Sequence, residues 1–186
     1  MALPKLEVPS YELELPISKK TIKFRPFLVK EQKILLMAME SGDSKSVQSA
    51  ILDVLNTCIL TPNFEIFNTP IVDVEYLFLH LRAKSVGEIV ESKYRCNNVV
   101  DDKPCNNLME TELNLMDINV TESDVSPEIQ LDDKISIKLK YPEFSIVKDS
   151  VNYDNINDVT FNMIANSIEY YSLVYKYGLN NFIIVA

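Results

Sequence analysis

Few side chains in this sequence combine the type and the spacing that catalysis or metal binding requires. Its single histidine is His80. It falls where Ile71, Val74, Phe78 and Leu81 recur at helical spacing, and it shares the opposite side with Asp73, Tyr76 and Lys84. That placement predicts an exposed helix histidine rather than a catalytic base. A Ser-His-Asp or Cys-His site would have to use it, yet the nucleophile elbow is missing, and Ser85-Val86-Gly87 is only a fragment of one. Neither the paired-histidine zinc motif nor the lysine-bearing phosphate loop occurs. The carboxylate pairs Asp101-Asp102 and Asp132-Asp133 lie in polar stretches, without the apolar surroundings that general acid–base chemistry uses. The expectation is a protein that is not an enzyme and has no cofactor.

The cysteines come closer to a site. Cys96 and Cys105 flank eight residues, Asn97 to Pro104, in a polar loop between two strand-like stretches. Their thiols can meet across the neck of that hairpin, as in the knuckle of a zinc ribbon. Structural zinc, however, takes four ligands, with pairs set two to four residues apart. The only other soft ligands are Cys58, which lies on an apolar helical face, and His80. The reading is therefore no metal, with Cys96 and Cys105 the weak candidates for zinc. A small cysteine-dependent metal-binding adaptor, with zinc shared between chains, is the alternative function. A disulfide between them is disfavoured in a reducing compartment.

The elements that must carry these residues follow from periodicity. Tyr11 to Leu15 and Thr21 to Arg25 alternate apolar and polar side chains around Ser18-Lys19-Lys20, which predicts an N-terminal β-hairpin ended by Pro26. Val29 to Glu40 reads as a helix stopped by Gly42. Its stretch Ile34 to Met39 is apolar on every side, as in a helix that lies centrally in a core or supplies a partner interface. Ser44 is placed to cap a second helix carrying Val47, Ile51, Val54, Leu55 and Cys58. Thr69-Pro70 opens a third, which ends near Ser85 to Gly87. From Ile89 the pattern turns to strands. Ile89 to Cys96 and Met109 to Leu115 form the cysteine-bearing hairpin, and Ile129 to Leu131 pairs with Ile135 to Tyr141. A last helix is expected from about Asp158 to Tyr170 on Phe161, Ile164, Ala165 and Ile168. Helices followed by strands give an α+β fold. The division expected is residues 1–88, hairpin plus helices, and residues 89–186, antiparallel strands with a C-terminal helix and an apolar tail, together one compact unit.

Composition narrows the function classes. The chain has 186 residues and a formal net charge of −9. Between residues 101 and 133 the only basic side chain is Lys103. It faces Asp101, Asp102, Glu110, Glu112, Asp117, Glu122, Asp124, Glu128, Asp132 and Asp133, so this segment alone equals the charge of the whole chain. Such a balance argues against a nucleic-acid partner, whose phosphates need a basic surface. The segment is either a solvated edge or a docking face for a basic partner. The N-terminus lacks the basic start and apolar core of a signal peptide. The run Ile34 to Met39 is far short of the roughly 20 apolar residues that span a bilayer. No membrane span and a cytoplasmic location are expected.

Several stretches together resemble a family, the baseplate hub assembly proteins of T4-like tailed bacteriophages. They are Met1-Ala2-Leu3-Pro4-Lys5-Leu6, the block Lys23 to Glu31, Leu35 to Ala38 with Glu40 to Asp43, Asp73 to Phe78, and Leu81 to Glu88. The tyrosine–cysteine hairpin Tyr94 to Leu115 fits as well, and the resemblance extends over about residues 1–168. It implies an assembly factor or minor hub component that acts by holding other baseplate hub subunits during tail morphogenesis. The location it implies is the host cytoplasm during assembly, or the virion tail baseplate. The regions proposed for partner contact are Lys23, Arg25, Phe27 and Lys30 near the first hairpin, and Arg82, Lys84 and Glu88 after the third helix. The alternative for these residues is a core aromatic and local ion pairs. A homo-oligomer is left open. The apolar tail Tyr170 to Ala186, with Lys176 its one charged residue, either packs onto the domain or a partner or is a variant C-terminus.

Overall fold

A computed structural model describes residues 8–100, 103–121, 125–132, 135–146, 156–173 and 182–184. The opening hexapeptide, Asp101-Asp102 and most of the apolar tail lie outside the described residues. The element order is β1 (Tyr11–Glu14), β2 (Thr21–Phe24), α1 (Val29–Ser41), α2 (Ser44–Cys58), a 3₁₀ turn (Ile66–Asn68), α3 (Ile71–Val86) and β3 (Ile89–Arg95). Next come β4 (Val99–Val100), β5 (Lys103–Pro104), β6 (Leu108–Asn114), a 3₁₀ turn (Leu115–Asp117), β7 (Glu128–Gln130) and β8 (Ile135–Leu139). The last elements are α4 (Ile156–Asn166), β9 (Ile168–Leu173) and β10 (Phe182–Ile184). This is the expected α+β mixture of helices and small antiparallel sheets.

The chain divides into two compact units that interleave in sequence. The first takes residues 1–14, 21–61 and 76–120, and the second 15–20, 62–75 and 121–186.

In the first unit β1 and β2 pair antiparallel, with Tyr11 opposite Phe24 and Leu13 opposite Ile22. The chain leaving α2 runs beside β2: the Leu60 N–H donates to the Lys23 carbonyl at 2.7 Å and the Arg25 N–H to the Cys58 carbonyl at 2.9 Å. Ile22, Phe24, Phe27, Val54, Leu55, Cys58, Leu77, Leu81 and Leu115 are the larger buried apolar side chains. Gly42 closes α1 in the left-handed region, at φ 67°, a conformation that glycine adopts without the Cβ clash of other residues. The cap of α2 differs from expectation. Asp43 is the N-cap, accepting from the Lys45 and Ser46 N–H groups, and Ser44 is the first helical residue. A carboxylate at that position satisfies two free amides and also suits the positive end of the helix.

In the second unit β10, β9, β8 and β7 form, in that order, a four-stranded antiparallel sheet. The last helix is shorter than its sequence pattern predicts. α4 stops at Asn166, and Ile168 onward forms β9, paired with β8 from Ile135 opposite Leu173 to Leu139 opposite Ile168. Ile168, Tyr170 and Tyr171 are β-branched or aromatic, and a neighbouring strand outweighs their helical spacing. The chain before α3 meets the stretch after β8 by backbone bonds, Ile71 N–H to the Pro142 carbonyl and Phe144 N–H to the Thr69 carbonyl. The Phe67 and Phe144 rings lie 6.5 Å apart.

Candidate functional site

The sequence-proposed contact residues all fall in the first unit. The Phe27 N–H donates to Ser85 Oγ at 3.0 Å, which joins their two stretches. Lys23 is exposed on β2. Phe27 is buried. Arg25 is directed inward to Glu31, with Nη2 and Oε1 3.0 Å apart, and the exposed Lys30 lies 3.4 Å from the same oxygen. Lys84 and Glu88 form an i,i+4 pair at 2.6 Å, and the Lys84 ammonium also sits 5.6 Å from the Tyr11 ring centroid. Arg82 is half-buried, and its buried Nη1 has no hydrogen-bond partner among the described residues.

Glu31, which pattern reading passed over, organises this region. It is only 2% exposed, and its second oxygen accepts the Leu28 N–H at 2.8 Å at the start of α1. Burial pushes its pKa up, but the Arg25 hydrogen bond, the Leu28 amide and the Arg25 charge together hold it below the usual carboxylate value.

The apolar run of α1 is on the surface. Val29 is 81% exposed, and Leu36, Met37 and Met39 are each more than half exposed, while Ala38 and Glu31 face the core. A second apolar surface lies on the β3–β6 ribbon. Its seven registered pairs run from Ile89 opposite Asn114 to Arg95 opposite Leu108. Alternation puts Val90, Ser92 and Tyr94 on one face with Leu113, Thr111 and Met109. Tyr94, Met109 and Leu113 are about half exposed there. The other face carries Glu91 opposite Glu112 and Lys93 opposite Glu110. Among the described residues no third strand joins this ribbon.

Cys96 and Cys105 sit at its neck. The Cys96 N–H donates to the Asn107 carbonyl and the Cys105 N–H to the Asn98 carbonyl, both at 2.8 Å. Among the described residues no group of three or more histidine, cysteine or acidic side chains is arranged to hold a metal ion. All three cysteines are free thiols. Burial pushes the Cys58 thiol up to about 11, so it holds its proton and is shielded as well. A thiol-reactive dye should label Cys96 and Cys105 in the folded chain and reach Cys58 only after unfolding; mass spectrometry of labelled peptides reads this directly.

His80 departs from its expected exposed position. It is 7% exposed, with its ring edge-on to Tyr76 at 4.4 Å between centroids and Nε2 without a hydrogen-bond partner among the described residues. The buried side of α3 is wider than the apolar stripe and includes Asp73, Leu77, His80 and Ala83. Burial, with Lys84 nearby, lowers the His80 pKa below 6.5. The neutral ring is thus the folded form. Its contribution to stability should be complete above pH 6.5 and decline as pH falls from there through the lower folded value. Urea midpoints measured above and below pH 6.5 should show this fall in the native chain and a reduced fall in His80→Gln.

The described residues expose apolar side chains on α1 and on the β3–β6 ribbon. Among the described residues no helix is long and apolar enough to cross a membrane. The family model described as T4 bacteriophage base plate protein matches residues 8–173. No curated protein and no solved structure matches the chain.

Proposed function

Since the chain belongs to the T4 bacteriophage base plate protein family, we propose that it is a non-enzymatic baseplate hub assembly protein. It acts as an assembly factor or minor hub component, built into or guiding the tail through contacts with other baseplate subunits. Such work takes place in the host cytoplasm, and the finished location is the virion tail. The observation that carries this reading is the apolar surface left open on α1 and on the β3–β6 ribbon. Solvent-facing apolar side chains concentrated on identifiable elements mark interaction sites, and aromatic and methionine side chains are enriched in interfaces. Tyr94, Met109, Met37 and Met39 are of this kind. His80, buried among helix neighbours, has no role in this mechanism.

Complementation of a phage lacking this chain tests the reading. Met37→Glu and Tyr94→Glu, combined in one chain that keeps its circular dichroism spectrum, should abolish tailed particles, because a charge at a closed interface must be desolvated. His80→Gln should support normal yield. Full complementation by the Met37/Tyr94 variant, or failure by a folded His80→Gln chain, contradicts the proposal.

A further inference from the structure

From the β3–β6 ribbon we infer that its β6 edge receives an extended segment of another baseplate subunit, in which basic residues alternate with apolar ones. The inference rests on the contact role proposed above and names the chemistry of the partner.

The ladder's own bonds say which backbone groups are open. At one end the Leu115 N–H donates to the Glu88 carbonyl, and at the other the Cys96 N–H donates to the Asn107 carbonyl. Counting by twos between these ends makes Val90–Leu113, Ser92–Thr111 and Tyr94–Met109 the hydrogen-bonded pairs. The amides and carbonyls of Leu108, Glu110, Glu112 and Asn114 therefore point away from β3. Among the described residues nothing pairs with them. A two-stranded ribbon is marginal on its own and gains by adding a strand.

Charge selects the edge and the occupant. Glu91 and Glu112 face each other as a non-hydrogen-bonded pair, the arrangement that brings side chains closest. Like charges there repel. Lys93 is already paired with Glu110 at 2.6 Å, and neither Glu91 nor Glu112 has a cation partner among the described residues. Residues 91–93 of β3 and 110–112 of β6 together line a groove at this point of the ribbon. A strand added to β6 sets two of its side chains opposite Glu110 and Glu112, where lysine or arginine is favoured. Its intervening side chains join the apolar face of Met109 and Leu113. The β3 edge instead presents Lys93 and Arg95 beside a single carboxylate, Glu91, so such a strand is less favoured there. A second copy is disfavoured at the β6 edge, because the two-fold pairing of greatest overlap, centred on Thr111, sets Glu110 against Glu112.

The probe is a short fluorescent peptide alternating valine with lysine, titrated against the full chain by anisotropy, with its valine–glutamate counterpart as control. The lysine peptide should bind, and the glutamate peptide should not. Glu112→Pro removes an outward N–H and spares the ladder, as edge prolines do; with the circular dichroism spectrum unchanged it should weaken binding about tenfold or more. The Glu110→Lys, Glu112→Lys double variant should reverse the peptide preference. Equal binding of both peptides, no binding of either, or an unaffected Glu112→Pro overturns the inference. So does a homodimer that sedimentation shows to be lost in Glu112→Pro. A complex of co-expressed baseplate subunits that forms undiminished with Glu112→Pro overturns the edge and leaves the contact role standing. Peptide binding without any such complex supports the edge and removes the contact role.

Discussion

Replacing Asp73 with alanine should destabilise the chain by about 3 kcal/mol or more, since two hydrogen bonds to a carboxylate are worth roughly 1.5–3 kcal/mol each. Asp73 stands in the first turn of α3 and is fully buried. One carboxyl oxygen accepts the Ile17 N–H at 2.7 Å and the other the Ser18 N–H at 2.9 Å. Both donors belong to the loop between β1 and β2, where Lys19 takes a positive φ of 55°. The carboxyl thus fixes a loop that has no glycine to ease its turn. Without it two part-buried amides lose their acceptor, and water cannot fully replace it. An asparagine side chain in its place would keep one acceptor and turn an amide N–H2 toward the other donor, so Asp73→Asn should lose about 2 kcal/mol on the same scale. Urea denaturation followed by circular dichroism ranks the three chains, and equal midpoints for native and Asp73→Ala would refute the assignment.

Glu31→Ala should cost about 3 kcal/mol, the lower end for removing one partner of a buried ion pair, because Arg25 retains some access to water. The loss has two parts. Arg25 keeps its bond to the Pro26 carbonyl at 2.9 Å but loses its counter-ion, and the Leu28 N–H at the head of α1 loses its acceptor. Glu31→Gln separates them by keeping an acceptor while removing the charge. The pH dependence has a definite sign. The folded carboxyl titrates below 4.5, so its contribution is complete above the unfolded value and disappears as pH falls through the folded one. The acid limb of the stability profile should therefore flatten in Glu31→Gln. An unchanged limb would show that other carboxylates carry it.

These two residues also show what local pattern can and cannot reveal. The β3–β6 ribbon was legible because the strand-like stretch Ile89 to Cys96 and the alternating second half of Met109 to Leu115 flank a polar loop; the observed register gathers Val90, Tyr94, Met109 and Leu113 on one face and leaves Ile89 and Leu108 on the other. Gly42 as a helix stop was legible for a similar local reason, the left-handed cap. Asp73 reads in sequence only as a favourable charge in a first helical turn. Its partners, Ile17 and Ser18, are more than fifty positions away, and no periodicity encodes them. Glu31 sits inside the Lys23 to Glu31 block of the family resemblance, yet its burial depends on Arg25 turning inward. His80 fell on the polar side of a helical wheel and is nevertheless buried, because α3 is covered on more than its apolar stripe. α4 ends where a strand partner becomes available to Ile168, and the partner is set by tertiary pairing rather than by spacing.

For the surface, types were legible and exposure was not. An all-round apolar helix segment fits a central core as well as an interface, and the structure puts Leu36, Met37 and Met39 of α1 in solvent. Of the charged residues proposed from sequence, Arg25 and Lys84 hold Glu31 and Glu88. Apolar side chains of α1 and of the ribbon are left open, as are Phe161 and Ile164 of α4. Those of α1 and the ribbon are the residues on which a contact role now rests.

The most direct test of that role is co-expression of the full chain with the baseplate subunits of its own phage, followed by affinity capture and mass measurement of what elutes. The account predicts a heteromeric complex of defined mass that falls apart when Met37→Glu and Tyr94→Glu are combined. A folded chain that elutes alone in the presence of every baseplate subunit would contradict it.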